Sequence, residues 1–172
     1  MAAELVKGTA KSGGVEAFRV EDIPYLQRMA EVVRGSAEAV REQPVLIGYG
    51  EAKSPLVIDG NMAAIFVEYV KRGVPQSLDT MPAGGTTAPA TSASTLALGL
   101  AETLGALTLA YAIDRDAVIS LDVCPTLTAM DSMIFPYSGA DRLPLVTAAM
   151  QMLADYYGRP GGCHGGKTDA CQ

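Results

Sequence analysis

The sequence predicts an α/β fold in which parallel strands alternate with helices, and three observations carry that reading. Short apolar runs bounded by Pro or Gly fall near residues 45, 76 and 117, with a fourth candidate near residue 160. Between them lie segments whose apolar residues recur at intervals of three and four, the helical period. Strand followed by helix, repeated, argues for right-handed βαβ units around a parallel sheet.

Taken in order, residues 1–20 read as a poorly structured lead-in, with Glu4, Lys7 and Lys11 among small residues and no apolar signal core. From Val20 to Glu42 the pattern is helical, with Pro24 suited to an early position and Gly35-Ser36 dividing it into two pieces. Pro44 to Gly50 reads as a buried strand, and Ser54 to Asp59 as a connection or a second extended piece. A compact helix covers Asn61 to Arg72, placing Met62, Ile65, Phe66, Tyr69 and Val70 on one face and stopping at Gly73. Gln76 to Met81 is the next strand, and Pro82 to Thr95 a loop rich in small and hydroxyl residues.

The helix that follows carries Leu96, Leu100, Leu104, Leu107 and Tyr111 on one stripe, with Ala97, Leu98 and Ala101 beside it, which predicts burial on more than one side. Ala93 to Ile113 has the length of a membrane span, but Glu102, Gly99, Gly105 and the absence of basic anchors favour a buried helix of a soluble fold. Ala117 to Val123 is the clearest strand. A long connection then leads to a last helix, capped by Asp141 and running through Tyr157 with Leu145, Val146, Ala149, Met152, Leu153 and Tyr156 inward. No internal repeat stands out. Three or four such units make part of a (β/α)8 TIM-type barrel, and 172 residues fall short of the roughly 250 of a closed one. The expectation is one domain over residues 1–172, an incomplete portion of a longer barrel.

Composition narrows the function. With a net charge of −6 and no basic run longer than Lys71-Arg72, the chain lacks the footprint expected for nucleic acid or anionic lipid. Three cysteines are an odd number without the density of a disulfide scaffold, which fits a reducing, cytoplasmic setting.

Chemistry in such sheets sits beyond the carboxyl ends of the strands. After the second strand, Gly84, Gly85, Thr86 and Thr87 precede a helix; they read either as an anion or carboxylate site or as a tight turn with Thr91 or Ser92 capping the helix. The loop matches neither the P-loop nor the dinucleotide fingerprint. After the third strand, Asp122 is either a partner for a cationic substrate or a turn-capping carboxylate, and Asp131 and Tyr137 follow. Cys124 is either a nucleophile or a small buried side chain, with no His or Lys near it in sequence. His164 lies among glycines that would bring it close to a ligand. With Cys163, Asp169 and Cys171 it invites a metal reading, but the spacing matches no strong zinc pattern, so no metal is expected.

An ordered set of motifs then resembles the trimethylamine methyltransferase family. These are Arg41-Glu-Gln-Pro44, Ser54-Pro-Leu56, Gly84-Gly-Thr-Thr-Ala-Pro-Ala-Thr91, Ala101-Glu-Thr-Leu104, Met130-Asp131, Ala154-Asp-Tyr-Tyr-Gly-Arg-Pro160 and Thr168-Asp-Ala170. The resemblance implies a full (β/α)8 barrel in the longer protein and transfer of a methyl group from a tertiary or quaternary methylamine to the cobalt of a corrinoid (cobalamin) held by a partner protein. The family's trimethylamine enzymes carry pyrrolysine, which this sequence lacks, so the resemblance implies either a betaine-using branch or a position outside these residues. Under it, Gly84, Gly85, Thr86, Thr87, Asp122, Asp131, Tyr137 and His164 are the candidate substrate-binding residues, chosen by position. Two other classes remain open: an assembly module whose sheet edges are covered by another copy, which predicts a homo-oligomer, and an α/β enzyme binding a phosphorylated ligand at Gly84-Gly85.

Overall fold

A computed structural model describes residues 2–9, 11–136, 142–158 and 161–162. Helix α1 (Ala2–Gly8) leads into strand β1 (Gly13–Glu16), and α2 (Ile23–Arg34) and α3 (Ala37–Glu42) precede β2 (Leu46–Ala52). Helix α4 (Gly60–Lys71), β3 (Gln76–Thr80) and the short β4 (Ala83–Gly84) follow. After α5 (Ser92–Ile113) come β5 (Ile119–Val123), β6 (Thr126–Leu127), α6 (Arg142–Gln151) with a π-helical turn at Met152–Tyr156, and β7 (Gly161–Gly162).

Five strands form one sheet in the order β1-β2-β3-β5-β7, while β4 and β6 make a separate two-stranded ladder. The fold is α/β with a parallel five-stranded sheet, consistent with part of a TIM-type barrel, and the described residues form no closed barrel. Residues 1–20 depart from the expected lead-in. Leu5 and Val6 of α1 pack on the cluster of Val15, Ala30, Val45 and Leu46, and β1 pairs with β2 in parallel. A four-residue strand with two glycines has too little apolar pattern to be read from sequence.

Two compact units divide the chain. The first comprises Met1–Gly50, Asp59–Ser77 and Thr108–Ile119, and the second Glu51–Ile58, Leu78–Leu107 and Ser120–Gln172. In the first, the helical stretch breaks at Gly35, whose φ of 93° lies in the left-handed region, and Ser36 caps α3 by accepting from Ala39 N at 3.2 Å. Ile65 and Tyr69 of α4 join Ala17 and Ile23 in a second apolar cluster. In the second, Leu78, Leu100, Leu121, Val123, Leu145 and Leu153 are buried.

The register between strands exposes a repeat that the linear reading missed. Gly48 N donates to Pro75 O at 2.8 Å, Gln76 N to Val118 O at 3.1 Å, and Cys124 N to Thr80 O at 2.7 Å. In a parallel ladder these bonds align Glu51 of β2 with Asp79 of β3, and Asp79 with Asp122 of β5. Ser-Leu-Asp-x-x-Pro thus occurs twice, at Ser77–Pro82 and Ser120–Pro125, 43 residues apart and in register on neighbouring strands. The first of these prolines explains why the ladder is split. Pro82 has no N–H to donate toward β5, so one rung is missing between β3/β5 and their continuation as β4/β6.

Helix α5 buries one face rather than several. Its buried residues include Thr95, Gly99, Leu100, Glu102, Thr103, Ala106 and Ala110, whereas Ala97, Ala101 and Gly105 are exposed and Leu96, Leu104 and Leu107 half-buried. The reason is close approach: a Cβ on Gly99 would lie 2.8 Å from Val123 Cγ1 and 3.0 Å from Pro82 Cγ. Large side chains do not fit opposite Gly99, so apart from Leu100 and Glu102 the buried face is made of small and hydroxyl residues. Among the described residues α5 is the one helix long and apolar enough to cross a membrane. Its buried Glu102 and Thr103, bonded to the chain's own loops and strands, mark it as a packed layer of the fold.

Candidate functional site

The second unit holds the carboxyl ends of β2, β3 and β5 and the loops that follow them. Along β5 the burial alternates: Ile119, Leu121 and Val123 are buried and Ser120 and Asp122 half-buried. Along β2, Gly50 and Ala52 are buried and Glu51 is exposed. Since aligned residues of a parallel sheet share a face, Glu51, Asp79 and Asp122 form a row of three carboxylates on it. Neighbouring backbones in such a row are about 4.8 Å apart. Asp79 is 2% exposed, and its Oδ1 accepts from Thr80 N at 2.8 Å. No group of three or more His, Cys, Asp or Glu among the described residues is arranged to hold a metal ion, so the row is an electrostatic feature rather than a chelate.

Asp122 is also built into the sheet. Its Oδ1 accepts from Ser120 Oγ at 2.9 Å and from Gly162 N at 2.6 Å, which ties the two-residue β7 to β5. A Cβ on Gly162 would stand 2.5 Å from that oxygen, so glycine is required there. Thr103 of α5 donates to Asp122 O at 3.2 Å, steadying the same residue from the helix side.

The glycine-threonine loop is a self-satisfied turn. Gly85 N donates to Ala88 O, and Thr86 N and Ala88 N both donate to Ala83 O, which leaves those three amides engaged. Gly85 takes a φ of 90°, and a Cβ on it would meet Met130 Sδ at 2.8 Å. Gly84 is required for packing, because a Cβ there would lie 2.5 Å from Thr95 Oγ1. Thr87 Oγ1 accepts from Ala83 N at 3.0 Å, and Thr86 Oγ1 shares a hydrogen bond with Thr128 Oγ1 at 3.1 Å. Three amides that a phosphate cradle at Gly84-Gly85 would draw on, those of Gly85, Thr86 and Ala88, are therefore already spent within the turn.

Two of the family-like motifs, far apart in sequence, meet in space. Glu102 of α5, 6% exposed, accepts from Ser54 Oγ and from Leu56 N, each at 2.8 Å. The turn it holds is closed by paired bonds between Lys53 and Val57, contains the cis Ser54–Pro55 peptide and places Leu56 at a φ of 60°. Asp131 sits on an exposed turn between Ala129 and Ile134, where its Oδ1 accepts from Ser132 Oγ at 3.1 Å. Cys124 has no exposure, which removes it as an accessible nucleophile. Tyr137 and His164, together with Asp141, Cys163, Asp169 and Cys171, lie outside the described residues.

Around these features, large apolar side chains face outward. Leu56 and Val57 do so on one loop, and Met130, Met133, Ile134 and Phe135 on another. The profile of the family described as trimethylamine methyltransferase (MTTB) matches residues 5–172. This chain belongs to the trimethylamine methyltransferase family. Relatives within that family include a trimethylamine methyltransferase of Desulfitobacterium hafniense, 29% identical over 91% of this chain and 31% of its own length. A glycine betaine methyltransferase of the same species is 28% identical over 83% of this chain and 29% of its own. A trimethylamine methyltransferase of Methanosarcina barkeri is 26% identical over 87% and 30%. The chain thus spans about a third of the length of the curated relatives it matches.

The two carboxylates that positional reasoning passed over are Glu51 and Asp79. A signal was present for Asp79 in the second copy of Ser-Leu-Asp-x-x-Pro, which pairs it with Asp122. Nothing comparable marks Glu51, whose place in the row depends on the register of β2.

Proposed function

We propose that this chain contributes to transfer of a methyl group from a tertiary or quaternary methylamine to the cobalt of a corrinoid held by a partner protein. The observation that carries the reading is the family match across residues 5–172, joined to the row of Glu51, Asp79 and Asp122. A methylated ammonium makes few hydrogen bonds, so recognition falls to negative charge and shape, and a carboxylate row supplies the charge. Breaking the nitrogen–methyl bond leaves the electron pair on nitrogen and calls for a strong nucleophile, which a reduced corrinoid supplies when bound. The residues fit that division of labour, because the thiol at Cys124 is buried and the carboxylates of the row supply acceptors instead.

The role of the protein is then to orient the cation and to keep water from it. Glu102 acts as a positioning residue by fixing the turn at Ser54–Leu56. The outward apolar side chains of the two loops suit contact with a large apolar macrocycle or its carrier. Asp131, Tyr137 and His164 remain candidate substrate contacts by position, and Gly84–Thr87 shapes the loop rather than binding through its amides. A homo-oligomer and a cytoplasmic setting accompany the proposal.

Titration calorimetry tests the cation site directly. Asp122→Asn keeps an acceptor oxygen for Ser120 and Gly162 but removes the charge, and is expected to weaken tetramethylammonium binding by about fivefold, or ~1 kcal/mol. Unchanged affinity in that variant and in Asp79→Asn rules out the carboxylate row as the cation site.

A further inference from the structure

The first unit holds a pocket of about 40 Å³ at the amino ends of β2 and β3, lined among others by Leu26, Ala30, Val40, Leu46, Val74 and Tyr69. Side chains of α2, α3 and α4 wall it, and the exposed members of its lining, Arg41, Arg72 and Gly73, mark its mouth. Charge near that mouth is largely spent within the chain: Arg72 donates to Glu68 Oε1 at 2.6 Å and to Gln27 Oε1 at 3.3 Å, and Arg28 donates to Glu31 Oε2 at 3.0 Å. Of the polar residues in the lining only Tyr69 is buried. It is 3% exposed, and its hydroxyl has no hydrogen-bond partner among the described residues. Its ring is seated against Gly48, where a Cβ would lie 2.9 Å from Cδ2 and Cε2, so the strand carries glycine at the place where the ring sits close. A buried hydroxyl is normally paired, and this one is offered no acceptor by the residues around it. By volume the pocket has room for about three waters, each of which needs roughly two to four polar partners, and one hydroxyl cannot supply them.

We infer that this pocket binds a small neutral molecule with an apolar body and one carbonyl-type acceptor, which takes the hydrogen bond of the Tyr69 hydroxyl. The apolar wall accounts for the body, and the single buried donor accounts for the single acceptor. A charged ligand would lose its hydration to a wall without a buried counter-ion, since Arg72 is already paired and Arg41 stands exposed at the mouth. Because the lining is drawn from α2, α3, α4, β1 and β2, an occupant ties these elements together and stabilises the unit that holds it. None of the lining residues belongs to the carboxylate row, so the inference stands whether or not the methyl-transfer reading does.

Ligand-observed NMR titration of the 172-residue chain with cyclopentanone, cyclopentane and butyrate, accompanied by thermal unfolding, tests the inference. Cyclopentanone is expected to bind more tightly than cyclopentane and to raise the melting temperature, and butyrate is expected not to bind. Tyr69→Phe should weaken cyclopentanone by about fivefold and leave cyclopentane unchanged. That variant removes an unpaired hydroxyl and keeps the ring, so its fold is retained. Val40→Phe fills the pocket from its half-buried wall and should abolish binding of both; circular dichroism reports whether it is folded, and Tyr69→Phe carries the test if it is not. Absence of cyclopentanone binding, or cyclopentanone affinity indifferent to Tyr69→Phe, overturns the site. Binding that survives in a folded Val40→Phe lies elsewhere and overturns it equally. Butyrate bound more tightly than cyclopentanone, and lost in Arg41→Met, overturns the assignment to a neutral ligand.

Discussion

Tyr69 shows how much a single buried atom sets. Its ring is packed among Ala17, Ile23 and Ile65, and its hydroxyl is buried without a partner among the described residues. Burial, followed by the charges of Asp22 and Glu16, pushes its pKa up to about 12 from the ordinary 10. The folded protein therefore holds that proton more tightly than the unfolded chain does, so its contribution is full below pH 10 and is lost as the pH rises toward about 12. Denaturant unfolding across that window should show the fall, and Tyr69→Phe should abolish it while adding about 1 kcal/mol at neutral pH. The sequence placed Tyr69 on the inner face of its helix through the three-four spacing, whereas the unpaired hydroxyl was not legible, because it depends on which side chains crowd that position. Asp122 and Asp79 show the same limit. A carboxylate at a strand end can be named from the pattern, but its neighbour across the sheet is fixed only by register.

Among the elements, α5 carries most of the correction. Its composition suggested a leucine stripe turned inward, but Gly99 brings the helix so close to Val123 and Pro82 that threonines and alanines take the inner face. Gly99→Ala is accordingly expected to cost about 1–3 kcal/mol by overpacking, measured as a lower midpoint in urea. Glu102 extends the influence of the helix to the turn at Ser54–Leu56. Glu102→Ala removes a charged acceptor from two donors and should cost about 3 kcal/mol, with Glu102→Gln losing less. The existence and order of helices and strands from Ile23 onward were readable because the apolar runs there are long enough to display a period. The two-residue strands β4, β6 and β7 were not, since pairing rather than side-chain pattern defines them.

For the whole molecule, the sheet among the described residues runs from β1 at one edge to the short β7 at the other, and edge strands of this kind invite pairing with another copy. Light scattering at micromolar concentration is expected to find a dimer or larger species, and a stable monomer would contradict that. The parallel order was legible from the alternation of elements, but the curvature of the sheet was not, because it is set by strand tilt and register rather than by side-chain pattern. The missing rung at Pro82 has a kinetic consequence. Cys124 N still bonds Thr80 O below the break and Thr126 N bonds Pro82 O above it, so the β4–β6 ribbon is stitched to the sheet discontinuously. A crack opening from the ribbon's tip loses its grip at that point instead of running down the ladder. The amides of Thr126 and Thr128 should then exchange with solvent deuterium well before that of Cys124, and the rim of the site can breathe while its floor stays shut.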